Sequence, residues 1–389
     1  MFSPLLNFVI RGLTVTRWSN FPRIERPNSL DHISFSLHVT YLLVDMLEAS
    51  GDVKYDRINI FKRALFSVLF TSAYSDINSD VKSRLKQSHP QIYAGLCQKM
   101  HAGVLSWNLG PVLSKEFKDF VDLLESNSAI DKEQTALSYG KYVSAYYEAE
   151  FNSRIYPEVY AGPLQKIKEK LNAPRFEEFR KHIDVTQASG SIQFLLSIRR
   201  LQSALRWNRL KRAYPISVMA HLFIVAVISF ILFRSEKRSD EEVTEAILRS
   251  LYHDVPETIT GDIITPTKKA TPGLEAVIGH IEEELVEEHL LHHIRGQVFE
   301  ADYRKRLLDP WGDSLGKLVK QADHLSAFLE ARIEELDNPF GEQFKKSREG
   351  IARNISKSEF EISKQLRDDF EEGIHTHLPD SIIGIGKDL

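Results

Sequence analysis

One cysteine, Cys97, stands in 389 residues, so no internal disulfide framework can staple the fold. That usage fits a reducing compartment, and a cytoplasmic location is expected. Glycine (19) and proline (15) together make up about 9% of the chain, below a usual ~12%, which argues against a turn-dense β protein. No low-complexity tract occurs, which argues against a disordered chain. A net charge of −4 leaves no basic surplus, so nucleic acid is not an expected partner. The opening MFSPLLNFVIRGL is apolar but has no basic flank before it and no small-residue cleavage site, so it does not read as a signal peptide.

What is present is ordinary globular material, 42% hydrophobic and 27% charged. Apolar residues recur at helical spacing, and no alternating pattern persists. The segments 36–50, 58–74, 241–253, 273–293 and 315–336 read as helices, separated by turns at Pro266, Pro272-Gly273 and Pro310-Trp311-Gly312. The expected class is all-α. The run ISVMAHLFIVAVISFILF (216–233) is uncharged and long enough to cross a bilayer. It contains His221, however, and a polar side chain there would be expensive in lipid, so a buried central helix is expected and no membrane partner.

The chain also repeats itself. Arg17-Trp18 precedes His32 as Arg206-Trp207 precedes His221, fifteen residues from arginine to histidine in both cases. LFTSAYSDINSDV from Leu69 aligns with LYHDVPETITGDI from Leu251, and SAYYEAE from Ser144 with SAFLEAR from Ser326. The first match has an offset of 189 and the other two 182, so one gap of seven residues relates them. Two domains are therefore expected, 1–187 and 188–389, with the joint near DVTQASGS.

Chemistry is concentrated in the second copy. His221, the pair His253-Asp254 and Asp323 offer two imidazoles and two carboxylates, a set suited to a divalent cation such as Mn, Co, Mg, Zn or Fe. His253 and Asp254 on one helix would point about 100° apart, with His221 and Asp323 arriving from other helices. The first copy has Thr71, Ser72 and Lys141 at the matching places, keeping only His32. A lysine there sets a cation where an ion would sit, so the first copy is expected to hold no metal. A further cluster, His280, His289, His292 and His293, lies along an acidic amphipathic segment and reads as a solvated face.

The second copy resembles the YfbR-like 5′-deoxynucleotidases of the HD phosphohydrolase superfamily. The motifs that carry the resemblance are Arg206-Trp207, His221, YHDVPETITGDIITPTKK (252–269) and LVKQADHLSAFLE (318–330). It implies a helical HD domain whose metal ligands are His221, His253, Asp254 and Asp323, hydrolysing a nucleotide substrate. It further implies proton transfer by Glu257, contact with leaving group or sugar by Asp262, phosphate binding by Arg206 and packing on deoxyribose by Trp207. Lys268 is placed to approach phosphate. Helix capping by Asp262 and packing by the Arg-Trp pair remain open, because both features recur in the first copy as Asp80 and Arg17-Trp18. Ala220 departs from the family, which has an acidic residue before the first histidine and so a carboxylate to orient a metal-bound imidazole. The family's homodimeric habit implies that the two copies pack as an intramolecular pseudo-dimer, with further self-association left open. Two other functions stay in view: hydrolysis of a triphosphate or modified nucleotide, and a catalytically silent nucleotide sensor.

Overall fold

The computed structural model describes residues 1–51, 53–75, 77–126, 131–261, 263, 267 and 270–374. Among these, extended pairing is limited to two isolated antiparallel bridges, Thr16 with Asn28 and Leu205 with Ser217. The rest is helix and turn, an all-α fold. The first half contains α1 (Ser3–Arg11), α2 (Ser29–Ser50), α3 (Arg57–Ala73), α4 (Ser79–Ser88), α5 (Pro90–Leu105), α6 (Gly110–Glu125), α7 (Lys132–Ser153), α8 (Pro157–Leu171) and α9 (Glu177–His182). The second contains α10 (Gly190–Arg199), α11 (Val218–Ser235), α12 (Asp240–Tyr252), α13 (Glu257–Thr260), α14 (Leu274–His289), α15 (Glu300–Leu308), α16 (Ser314–Asp337), α17 (Gly341–Ser356) and α18 (Glu361–Gly373).

Short polar residues start the long helices, accepting backbone N–H groups that the first turn leaves unsatisfied. Asn28 and Asp31 form a capping box at α2, and Ser239 with Glu242 does the same at α12. Asp131, Ser217 and Asp313 cap α7, α11 and α16. The expected segment 273–293 divides: α14 stops at His289 and a 3-10 turn follows over Leu291–Ile294.

Helix α11 is the axis of the molecule. Its window Val218–Ser235 has a mean hydropathy of 2.1 and is 89% buried, packed against α2, α12 and α16. A helix apolar on every face is thus satisfied inside the protein. At roughly 1.5–3 kcal/mol for each large apolar side chain fully buried, this helix is a main contributor to stability. Helix α2 is buried over most of its length and lies against α11. Other contacts join the halves at the same level. Phe61 of α3 meets Phe223 and Phe230 of α11 at ring distances of 6.1 and 5.6 Å. Arg234 of α11 pairs with Glu116 of α6 at 2.8 Å. The Tyr303 hydroxyl of α15 donates to Asp45 of α2 at 2.8 Å.

Candidate metal centre

Three elements bring the metal-type side chains together. His221 lies in the first turn of α11, fully buried. His253 and Asp254 follow α12, which ends at Tyr252; His253 is its C-cap. The expected helix over 241–253 therefore closes one residue early, and Asp254 leaves it altogether. Pro256 explains the ending: it brings no N–H to the helical ladder and disfavours helical geometry in the residue before it. The turn, rather than two faces of one helix, lets neighbouring residues aim at one point. Asp323 arrives from α16.

The geometry fits one ion. His221, His253 and Asp254 each offer a ligand atom within 4.8 Å of the others, and this is the one such group of three among the described residues. His221 Nε2 is 3.6 Å from Asp254 Oδ2, and His253 Nε2 is 3.3 Å from the same oxygen. Asp323 Oδ1 approaches the two imidazoles at 3.3 and 3.9 Å. Atoms bound ~2.1 Å from a common ion stand ~3.0–3.4 Å apart at tetrahedral to octahedral angles. Both Nε2 atoms are buried without a hydrogen-bond partner. A buried ring nitrogen left unsatisfied is costly, and a cation at the point of convergence would satisfy both.

The opposite ring nitrogens are held. His253 Nδ1 donates to the Ser250 carbonyl at 2.9 Å, leaving Nε2 as the lone-pair nitrogen. His221 Nδ1 lies 2.7 Å from Glu330 Oε1 and 3.0 Å from the Ser326 hydroxyl. Glu330 is thus the carboxylate that orients the first histidine, a task for which Ala220 has no side chain. Burial alone would raise the Glu330 pKa, but Arg206 and His221 outweigh it and hold the carboxyl low. Asp254 is likewise held below the usual carboxylate range, burial being overcome by the neighbouring imidazoles. Arg249 of α12 grips both oxygens of Asp313, the α16 cap, at 2.7 and 2.8 Å. This clamp fixes the helix carrying Asp323 against the one that delivers His253. Trp311 covers the His253 ring at 5.1 Å, and Lys320 pairs with Asp323 at 2.6 Å.

Arg206 and Trp207 sit at the rim. Arg206 donates Nε–H to Glu330 at 3.0 Å and reaches Asp254 at 3.3 Å. Trp207 adopts φ 57°, rare for an aromatic residue, which sends its indole N–H to Glu330 at 2.7 Å and packs its ring on Phe344 at 5.7 Å. Glu257, half-buried at the start of α13, lines a cavity of about 470 Å³ with Arg199, Arg200 and Ser203. The first half supplies Glu25 and Phe151 to the same cavity. Asp262 and Lys268 lie outside the described residues. His280 and His289 are exposed on α14, and the His292 and His293 rings touch each other at 3.7 Å.

Similar contacts surround Trp18 and His32 in the first half. Trp18 also has a positive φ, 55°. Arg17 and Trp18 both donate to Glu148, at 2.8 Å, and His32 Nδ1 lies 2.9 Å from that carboxylate and 3.0 Å from Ser144. Burial and Arg17 lower the His32 pKa to about 4, so it stays neutral. Thr71 and Ser72 end α3, and the Lys141 ammonium donates to the Ser67 hydroxyl at 2.7 Å.

Comparison with known proteins points to one family. Residues 193–373 match the YfbR-like 5′-deoxynucleotidase family profile. A 5′-deoxynucleotidase of Vibrio parahaemolyticus is 30% identical over 147 residues, 37% of this chain and 74% of that protein. One from Photorhabdus temperata is 32% identical over 147 residues, 37% of this chain and 73% of its own. One from Shewanella oneidensis is 28% identical over 136 residues, 34% of this chain and 69% of its own. Through these C-terminal residues the chain belongs to the YfbR-like 5′-deoxynucleotidase family, hydrolases of the HD phosphohydrolase type.

Proposed function

We propose that the protein is a metal-dependent 5′-nucleotidase that releases phosphate from deoxynucleoside 5′-monophosphates. The observation that carries this reading is the convergence of two buried Nε2 atoms, both free of a well-formed hydrogen bond, on Asp254 and Asp323. A divalent ion held by His221, His253, Asp254 and Asp323 would lower the pKa of a bound water and polarise a phosphoryl oxygen. The chain does the rest. Arg206, whose guanidinium fork matches phosphate oxygens, orients the phosphate at the rim. Glu257 transfers a proton at the leaving 5′-oxygen. Trp207 packs on the sugar, Asp262 contacts the leaving group and Lys268 approaches the phosphate. The relatives' names support the substrate class, and the ion is one of Mn, Co, Mg, Zn or Fe.

The domains run 1–187 and 188–389 and pack as an intramolecular pseudo-dimer across α2 and α11, one half active and the other a scaffold. Support comes from features that recur at one spacing: Thr16–Asn28 with Leu205–Ser217, and Trp18 with Trp207. A different nucleotide substrate is the second reading, favoured by Glu25 and Phe151, which bring the first half into the cavity beside Glu257. The test is phosphate release from a panel of deoxyribo- and ribonucleotides with Mn²⁺ or Co²⁺, the products separated by chromatography. Inorganic phosphate from deoxynucleoside monophosphates is expected. Pyrophosphate or triphosphate as the product transfers the assignment to the second reading, and an inert, metal-free protein to a sensor.

A further inference from the structure

The cavity beside Glu257 is built from both halves and adjoins the metal centre. Glu257 donates its backbone N–H to the Asp254 carbonyl at 3.1 Å, and Thr258 lines the same wall. Ala204, also in the lining, accepts the Val218 N–H at 2.8 Å, where the helix that carries His221 begins. The first half contributes Glu25, from the segment before α2, and Phe151 of α7. Arg199 of α10 ties these two together. It grips both oxygens of Glu25, one at 3.0 Å, and its guanidinium carbon lies 4.6 Å from the centre of the Phe151 ring. At about 470 Å³ the cavity falls within the roughly 300–1,000 Å³ of small-molecule sites. Two groups in its wall lack a partner. Arg199 and Thr258 are each 6% exposed, and Arg199 Nε and Thr258 Oγ1 are buried with no hydrogen-bond partner among the described residues. Such groups are costly unless a ligand satisfies them. The charged lining residues are two glutamates, Glu25 and Glu257, and two arginines, Arg199 and Arg200, so the cavity has no cationic surplus for a second phosphate. It suits a neutral polar group.

We infer that this cavity receives the base of the substrate nucleoside, and that the first half reads the base through Glu25. The inference rests on the nucleotidase reading and deepens it: with phosphate at the metal centre and Glu257 at the leaving 5′-oxygen, the nucleoside lies on the Glu257 side. Arg199 occupies one lone-pair site on each Glu25 oxygen, which leaves each oxygen another for an amino or imino N–H of a base. The Arg199 Nε–H and the Thr258 hydroxyl supply donors for its ring nitrogens or carbonyl oxygens. The first half is then a specificity element as well as a scaffold.

The test has two readouts on the full chain. Calorimetric titration of metal-free protein measures binding of the deoxynucleosides and of deoxyribose. Turnover with Mn²⁺ compares kcat/KM for deoxynucleoside monophosphates with that for deoxyribose 5-phosphate, which has no base. Deoxynucleosides should bind more tightly than deoxyribose. Ser203→Trp, which fills the cavity from an exposed lining position, should weaken deoxynucleoside binding about tenfold or more. Glu25→Gln should weaken it about threefold or more, in chains with unaltered helical circular dichroism. In both variants the preference for nucleotide over deoxyribose 5-phosphate should fall to a similar extent, through KM rather than kcat. Absence of deoxynucleoside binding overturns the inference, as does an affinity or a base preference that neither variant alters. The two readings fail separately. Deoxynucleoside binding that Ser203→Trp removes, in a protein that releases no phosphate, sinks the nucleotidase and leaves the base site standing. Phosphate release with deoxynucleoside affinity unaltered in both variants does the reverse.

Discussion

Glu330 serves four side chains with two oxygens: the His221 ring, the Ser326 hydroxyl, the Arg206 guanidinium and the Trp207 indole. Supporting carboxylates of this kind tune metal affinity, and their loss typically costs about 10–100-fold. Glu330→Gln should therefore weaken Mn²⁺ binding about 10–100-fold in competition with a chromophoric chelator. Glu148→Gln, its counterpart in the first half, should leave that affinity within about twofold; equal behaviour of the two variants would remove Glu330 from the metal site. Sequence reading named the four proposed ligands and missed this residue. The signal was present, since SAFLEAR and SAYYEAE share the serine and the glutamate, but it served only to argue for a repeat. A glutamate in a helix announces neither burial nor partner. A second residue offers a pH test. Burial raises the Asp31 pKa from 3.8 to about 7, against hydrogen bonds from Ser217 and Asn28. The folded state then binds the extra proton between those values, so its contribution is complete below about pH 4 and is lost as pH rises through about 7. At about 1.4 kcal/mol per unit this is worth roughly 1–4 kcal/mol. Thermal melts should show wild type losing stability from pH 5 to 8, with Asp31→Asn flattening the curve; parallel curves would refute the assignment.

Elements were legible where a polar cap meets an apolar period. The reading of 58–74, 241–253 and 315–336 came within a residue of α3, α12 and α16 at each end, because Asp56, Ser239 and Asp313 start them. What periodicity did not carry was how α12 and α16 hold each other. That depends on Arg249, 2% exposed in its side chain, clasping Asp313. Arg249→Met leaves Asp313 and Glu245 without their shared cation and should cost about 2–4 kcal/mol. Chemical denaturation measures the loss, and chelator competition should show weaker metal binding as α16 loosens. Unchanged metal affinity in a destabilised protein would make the clamp purely structural.

At the scale of the whole molecule, α2 and α11 join two halves through one hydrophobic core. The apolar run 216–233 announced burial, but nothing in one sequence names the surface that buries it. Lys141 and Ser72 were legible as departures from the ligand pattern, whereas the contact of Lys141 with Ser67 appears only in three dimensions. Since Phe61 belongs to the first half and packs on α11, Phe61→Ala should cost about 3–5 kcal/mol and lower the unfolding temperature of the entire chain. Scanning calorimetry should show one cooperative transition moving as a unit; two transitions, with only the first displaced, would contradict a shared core. The claim that one site in two copies retains catalysis is tested most directly by phosphate release from a deoxynucleoside monophosphate while metal-free protein is titrated with Mn²⁺. Activity should saturate at one ion per chain and vanish in Asp254→Ala. Saturation at two ions, or wild-type turnover in Asp254→Ala, would contradict it.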